Sequence, residues 1–207
     1  MYRKFIWLAT FSLLLPACAP RFLYTDDFST TRNGWTTGTS DSAGVDYVGG
    51  EYVINMKEAD WFIWGVPQRS DFSNIHLEVT AKPLTTTLDV GFGLICGYQD
   101  GQNFYYLGLD PNSYFAIAKF VADQPTMLSD ERVWIQSPDI TPAQESYRVG
   151  ADCGHGQLTL YVNGKAIKTV LDASLTKGQV GVFVNTTDTA PTEVHFDDFQ
   201  VTELPKP

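Results

Sequence analysis

Cations are scarce in this chain of 207 residues: 14 Lys and Arg stand against 24 Asp and Glu, for a formal net charge of −10. Phosphate would meet net repulsion, and no basic run offsets it, which excludes a general nucleic-acid binder. Histidine is rarer still. None of the three, His76, His155 and His195, is paired with a Ser or Asp in a recognisable nucleophile motif, so triad chemistry finds no support. His76 and His195 fall in strand-like stretches and read as solvated or hydrogen-bonded strand residues. No stretch holds a helical apolar stripe longer than about two turns, a length marginal without tertiary support. What is present, 43% apolar, 14% aromatic and 18% charged residues, suits one folded soluble domain and excludes a polytopic membrane protein or a mostly disordered chain.

The first twenty residues read as an address. Arg3 and Lys4 form a positive start, Phe5 to Leu15 an apolar run too short to span a bilayer comfortably, and Leu15-Pro16-Ala17-Cys18 a small-residue cleavage site ending in cysteine. Those four residues resemble a bacterial lipobox, with Pro16 a less usual choice inside it. The resemblance implies a signal peptide over residues 1–17, a diacylglycerol-modified Cys18, a lipidated tether over residues 18–24 and a folded domain over residues 25–203 in a bacterial cell envelope. An ordinary secretion signal that happens to contain a cysteine is the plainer alternative. Cleavage before Cys18 removes Arg3 and Lys4 and no acid, taking the net charge to −12. Membrane attachment must then come from the lipid on Cys18, because an anionic surface repels the domain. Ala19, after the modified cysteine, carries no inner-membrane retention aspartate. Leu204 to Pro207 read as a frayed end.

With Cys18 assigned, Cys96 and Cys153 remain, and an even pair in an oxidising compartment is normally a disulfide. Each lies in phase with apolar neighbours, Val90, Phe92 and Leu94 in one case and Tyr147, Val149 and Ala151 in the other. Both sulfurs therefore point to a buried face, where a bridge or two free buried thiols would fit. Neither has a histidine at metal-ligand spacing.

The remainder is strand after strand. Period-two segments run over Glu51 to Met56, Trp61 to Val66, Ile75 to Lys82, Asp89 to Tyr98, Asn103 to Leu109, Tyr114 to Val121, Ser146 to Asp152, Gln157 to Val162, Gln179 to Asn185 and Thr192 to Thr202. Turn chemistry separates them, notably Asp100-Gly101, Asp110-Pro111-Asn112 and Asn163-Gly164. About a dozen short strands in one unit predict an all-β, two-sheet antiparallel sandwich or a barrel.

Three early pieces, Asp26-Asp27-Phe28-Ser29 followed by Trp35, Gly49-Gly50-Glu51-Tyr52-Val53-Ile54, and Asp71-Phe72-Ser73-Asn74-Ile75, resemble the opening of a concanavalin A-like lectin/glucanase (laminin-G-like) jelly roll. Tyr98 to Tyr106, Leu160 to Lys165, Gly178 to Phe183 and Val194 to Val201 agree with it in order and spacing. The chain is also similar to the domain of three-keto-disaccharide hydrolase-like proteins. Relatives of this kind carry a structural calcium, and the resemblance places its ligands at Asp27, the Gly50 carbonyl and Asp198. The plainer reading of these aspartates is turn capping. Glucanases of the family set paired carboxylates two and four residues apart on one strand; no Glu-x-Asp-x-Glu exists here, Glu78 is the only acid on its strand, and Asp89 starts its strand alone.

A binding face is easier to support. Aromatic residues occur on both faces of single strands, so some must leave the core, where flat rings can stack on sugars. Trp61, Trp64, Tyr98, Tyr106 and Tyr114 are the candidate contacts, while Trp35 and Trp134 read as core or edge packing. Gly91, Gly93 and Gly97 fall opposite the apolar row of their strand; they either leave a groove or serve sheet curvature with neighbours filling the space. The expected function is a surface-anchored, non-catalytic carbohydrate-binding domain whose partner is a glycan. The alternatives are a hydrolase or lyase acting on a disaccharide derivative and an interaction scaffold without sugar specificity.

Overall fold

A computed structural model describes residues 21–69, 71–84, 89–130, 133–188 and 191–206; the expected signal peptide and Cys18 lie outside them. Sixteen strands follow in order: β1 (Phe22–Asp26), β2 (Gly38–Thr39), β3 (Ala43–Val48), β4 (Glu51–Met56), β5 (Phe62–Gly65), β6 (Ile75–Pro83), β7 (Val90–Asp100), β8 (Asn103–Leu109), β9 (Tyr114–Val121), β10 (Gln124–Met127), β11 (Ile135–Gln136), β12 (Tyr147–Gly154), β13 (Gln157–Val162), β14 (Lys165–Leu171), β15 (Gln179–Thr186) and β16 (Thr192–Glu203). A three-residue turn of 3₁₀ helix at Thr31–Asn33 is the only helical element among the described residues.

The strands form two antiparallel sheets. The first runs β14-β13-β12-β6-β16-β4-β3-β2 with β1 added on β16, and the second runs β10-β9-β8-β7-β15-β5 with β11 on β9. Their inner faces meet in one core in which β6 contributes Ile75, Leu77, Val79 and Ala81, and β7 contributes Val90, Phe92, Leu94 and Cys96. This is the period-two pattern of each strand carried into space. The predicted Asn163-Gly164 turn closes the β13–β14 hairpin with both residues at positive φ, 51° and 78°, the arrangement that matches strand twist.

Cys96 on β7 and Cys153 on β12 are bonded, so the bridge ties one sheet to the other across the core. Closing a loop of this length stabilises the fold by about 3 to 5 kcal/mol in the chain-entropy account.

β16 is long because it serves two partners, β4 along Thr192–Phe196 and β1 along Phe199–Thr202. A bulge falls at the hand-over, with Asp198 at φ 52°. The extra residue reverses the phase of the strand: Val194 and Phe196 point inward before it, Phe199 and Val201 after it. The start and finish of the domain are thereby neighbours. Beside them Asp26 is buried but saturated: Phe28 N–H donates to its Oδ1, and Trp35 Nε1 and the Tyr24 hydroxyl donate to its Oδ2.

Two sequence boundaries need correction. The domain starts earlier than residue 25, since Phe22 and Tyr24 already pair with Thr202 and Val201. At the other end Leu204 N–H donates to the Asn74 carbonyl, and His155 pairs with the Pro205 carbonyl, so these residues are tied down rather than frayed.

Candidate functional site

Alternation sends the other half of each strand outward, and the two outer faces differ in chemistry. On the first sheet the outward residues are ionic. His195 lies between Glu51 and Glu193, at 2.6 and 2.8 Å, and Glu51 also pairs with Lys82. On the neighbouring strand β6, His76 lies between Asp152 and Glu78, at 2.6 and 3.4 Å, and Arg148 holds Glu78. Burial opposes the charged form of His76, but the two carboxylates outweigh it and its pKa is raised. Both histidines are thus the hydrogen-bonded strand residues expected of them.

On the second sheet the outward residues are aromatic and pack on one another. Phe62 of β5 stacks on Phe183 of β15 at 5.0 Å, Tyr106 of β8 meets Phe183 edge-on at 5.3 Å, and Phe104 stacks on Phe120 of β9 at 4.9 Å. Ile95, Phe104 and Phe183 are shut off from solvent although they lie outside the sandwich, so this face carries a small second core. Its glycines are occupied ground: a Cβ on Gly108 would meet the Phe183 ring at 2.6 Å, and one on Gly93 the Leu107 carbonyl at 2.2 Å. Gly97, at φ 61°, faces Leu175 and Tyr105. Neighbours therefore fill the space above Gly93 in mid-strand, while Gly91 and Gly97 border recesses toward its two ends.

One end of this face is open. A cleft of about 310 Å³ is lined by Asp89, Gly91, Asp110, Asn112, Tyr114, Trp134, Asn185 and Thr187. The start of β7, the β8–β9 turn, the approach to β11 and the end of β15 converge there. In the turn, Asn112 and Tyr114 N–H groups donate to Asp110 Oδ1 at 2.8 and 3.0 Å, and the Asn112 amide reaches across to Asp89 at 2.9 Å. Burial, reinforced by the nearby Asp89 charge, pushes the Asp110 carboxyl up to about 6 against the opposing backbone hydrogen bonds. Asn185 Oδ1 is buried with no hydrogen-bond partner. It rests, with the edge of the Trp134 ring, on the bare Cα of Gly91, where a Cβ would lie 2.0 Å from Oδ1 and 2.7 Å from the ring.

The sequence candidates divide accordingly. Tyr114 lines the cleft. Trp64, Tyr98 and Tyr106 belong to the aromatic cluster; Tyr106 is only 8% exposed and turns its hydroxyl to Met127 sulfur, so it presents no free ring face. Trp61 precedes β5, is exposed, and belongs to neither region. Trp134, read as packing, does pack against the aromatic cluster and also forms a wall of the cleft. Asp110 was visible only as a turn former, and Asn185 had no local signal, because its role depends on Gly91 directly across the β7–β15 ladder.

A larger recess, about 430 Å³, lies at the other end of β7 beside the disulfide. Its polar groups are spent internally: Asp172 takes Lys119 at 2.6 Å and the Tyr105 hydroxyl, which in turn accepts the Leu175 N–H. It presents no comparable set of uncommitted groups, so the cleft is the stronger candidate.

The expected calcium ligands are only partly assembled. Asp27 and Asp198 line one recess of about 240 Å³, whereas Gly50 is not among its lining residues. Asp27 Oδ1 already accepts from Ser29, and the Asp198 carbonyl accepts from Arg148 at 2.8 Å. Among the described residues no three His, Cys, Asp or Glu side chains converge as a metal cage. The recess offers two exposed carboxylates, the hard oxygen donors that calcium takes.

No protein-family model matches the sequence, and no curated protein matches it. Solved structures do. The carbohydrate-binding module CBM66 from Bacillus subtilis superposes with a TM-score of 0.64 at 13% identity, over 83% of this chain and 96% of that one. The fold is a concanavalin-like jelly roll. A Bacillus licheniformis beta-glucanase shares it with a TM-score of 0.61 at 12% identity, over 88% of this chain and 98% of the other. The catalytic domain of an endo-1,3-beta-glucanase (laminarinase) from Thermotoga petrophila RKU-1 has a TM-score of 0.61 at 10% identity, over 90% and 99%. Within this jelly roll the outward positions of β7 are Gly91, Gly93 and Ile95, so its central strand holds no carboxylate pair.

Proposed function

We propose that this chain is a lipid-anchored, non-catalytic carbohydrate-binding domain of a bacterial envelope that takes a glycan at the cleft beside Trp134. The carrying observation is the cleft itself, where Trp134 and Tyr114 stand beside Asp89, Asp110, Asn112 and Asn185. Rings that stack on the apolar face of a pyranose, next to groups that bond its hydroxyls, are the usual grammar of a sugar site. Because the middle of the face is filled by Phe104, Phe183 and Tyr106, the domain engages the end of a chain rather than lying along it. A glycan array tests this. Binding should drop at least tenfold on Trp134→Ala and stay within twofold on Trp61→Ala; the reverse order, or silence across the array, overturns the reading.

The anchor part of the proposal rests on the lipobox-like Leu15-Pro16-Ala17-Cys18. Strand β1 begins at Phe22, so an extended link from Cys18 spans only about 14 Å and the domain would ride close to the bilayer. Palmitate labelling that survives Cys18→Ser would refute it. A calcium ion shared by Asp27 and Asp198 belongs to the same proposal. It predicts a melting temperature raised by calcium and lowered by EDTA, with no response in Asp198→Asn. Hydrolysis of a disaccharide derivative is the second reading, and one observation favours it: two neighbouring carboxyls, one held near neutrality, is how an acid and a base are set apart. Turnover of an array-positive glycan, lost in Asp110→Asn, would replace the first reading with this one.

A further inference from the structure

The polar inventory of the cleft is one-sided. Among the described residues lining it there are two carboxylates and no Lys, Arg or His. Three of its donors are engaged with these carboxylates, the Asn112 amide on Asp89 and the Asn112 and Tyr114 N–H groups on Asp110 Oδ1. Two acceptors are left over. The two backbone donors on Asp110 both go to Oδ1 rather than Oδ2, and Asn185 Oδ1 is buried with no partner among the described residues. A neutral sugar hydroxyl brings one donor along with lone pairs that these acceptors repel, whereas an ammonium brings three donors and a charge. The Trp134 and Tyr114 rings add a wall that attracts cations as well as C–H faces.

Resting on the sugar-binding reading above, we propose that the cleft selects a terminal amino sugar whose amine is free and protonated, in preference to its N-acetylated, neutral or acidic counterparts. The ammonium sits against Asp110 with Asp89 behind it, and the pyranose face lies on Trp134. Asn185 Oδ1 accepts a second donor once the indole edge moves off Gly91. Asp110 is half-buried, and no cation stands beside it among the described residues lining the cleft, so a bound cation would offset the cost of its burial. N-acetylation would remove the charge and add bulk, and a uronate would place a third carboxylate among two.

Three disaccharides with the same β-1,4 backbone, differing only at carbon 2, test this by titration calorimetry on the full-length chain: the glucosamine dimer, N,N′-diacetylchitobiose and cellobiose. The glucosamine dimer should bind at least tenfold more tightly than the other two, with a change in tryptophan fluorescence. Asp110→Asn should erase the preference while the control Asp41→Asn, an exposed acid outside the cleft, keeps it. A preference that survives Asp110→Asn reflects the overall negative charge and overturns the inference. Equal or tighter binding of cellobiose or diacetylchitobiose overturns it too, yet leaves the sugar-binding reading standing. No binding of any of the three, together with a silent array, removes both.

Discussion

The two outer faces of this sandwich are built from the same alternating strands and do opposite things with them. The first sheet turns His76, Glu78, His195 and Glu51 to water, where partners satisfy one another and exchange with solvent. The second turns Phe62, Phe104 and Phe183 outward and must bury them again under their own neighbours. An aromatic on an outer face is therefore no sign of a ligand site by itself. The proposed site lies where that packing stops, at the end of the face where Trp134 and Tyr114 line a cleft.

Phe183→Ala breaks this comparison most severely. If the outer cluster is a true second core, urea denaturation should show a loss of about 3 to 5 kcal/mol, whereas a mere recognition surface would lose under about 1. Next is the charge buried on the aromatic side. Asp110 holds its proton more tightly folded than unfolded, so its contribution favours the fold at low pH and is withdrawn as pH rises from about 4 through about 6. Asp110→Asn should then be more stable than the natural chain at pH 7, by about 1 to 3 kcal/mol, with the difference gone at pH 3.

The ionic side should respond more weakly. Glu51→Gln, which unlinks Lys82 and His195, should cost about 1 kcal/mol and cost less in high salt. Smallest is the titration of His76. Its raised pKa makes its contribution complete below the unfolded value near 6.5 and lost as pH climbs through the folded value, so His76→Gln should flatten the stability profile just above neutrality. A profile unchanged there would mean that Asp152 and Glu78 hold the ring no better than water does.

Much of the sandwich is legible from alternation alone. Glu51–Met56, Asn103–Leu109, Tyr114–Val121 and Gln157–Val162 are strands over the residues their pattern marks. Missing from that pattern are Ala43–Val48 and the edge strand Lys165–Leu171, whose outer edge and solvent contact let Lys165, Lys168 and Thr169 interrupt the apolar period. The cleft is less legible for a different reason. Tyr114 could be nominated as an aromatic on a strand, but Trp134 stands outside any periodic segment. Asn185 matters only through a cross-strand glycine, and Asp110 conceals a charge within ordinary turn chemistry. Period-two reading registers direction, and says nothing about which outward residues a neighbouring sheet position will cover.

The cleft walls come from strand ends and turns: Asp89, Asp110, Asn112 and Thr187 all lie just outside the strands they adjoin, and Trp134 precedes β11. The load of holding the jelly roll together falls elsewhere, on the inner core, the outer aromatic cluster and the inter-sheet bridge. In the proposed site, ligand choice and foldability therefore overlap little, and Asn112, between the buried Pro111 and Ser113 of the four-residue link between β8 and β9, is the natural place to graft a new preference while the rest of the sandwich is left alone.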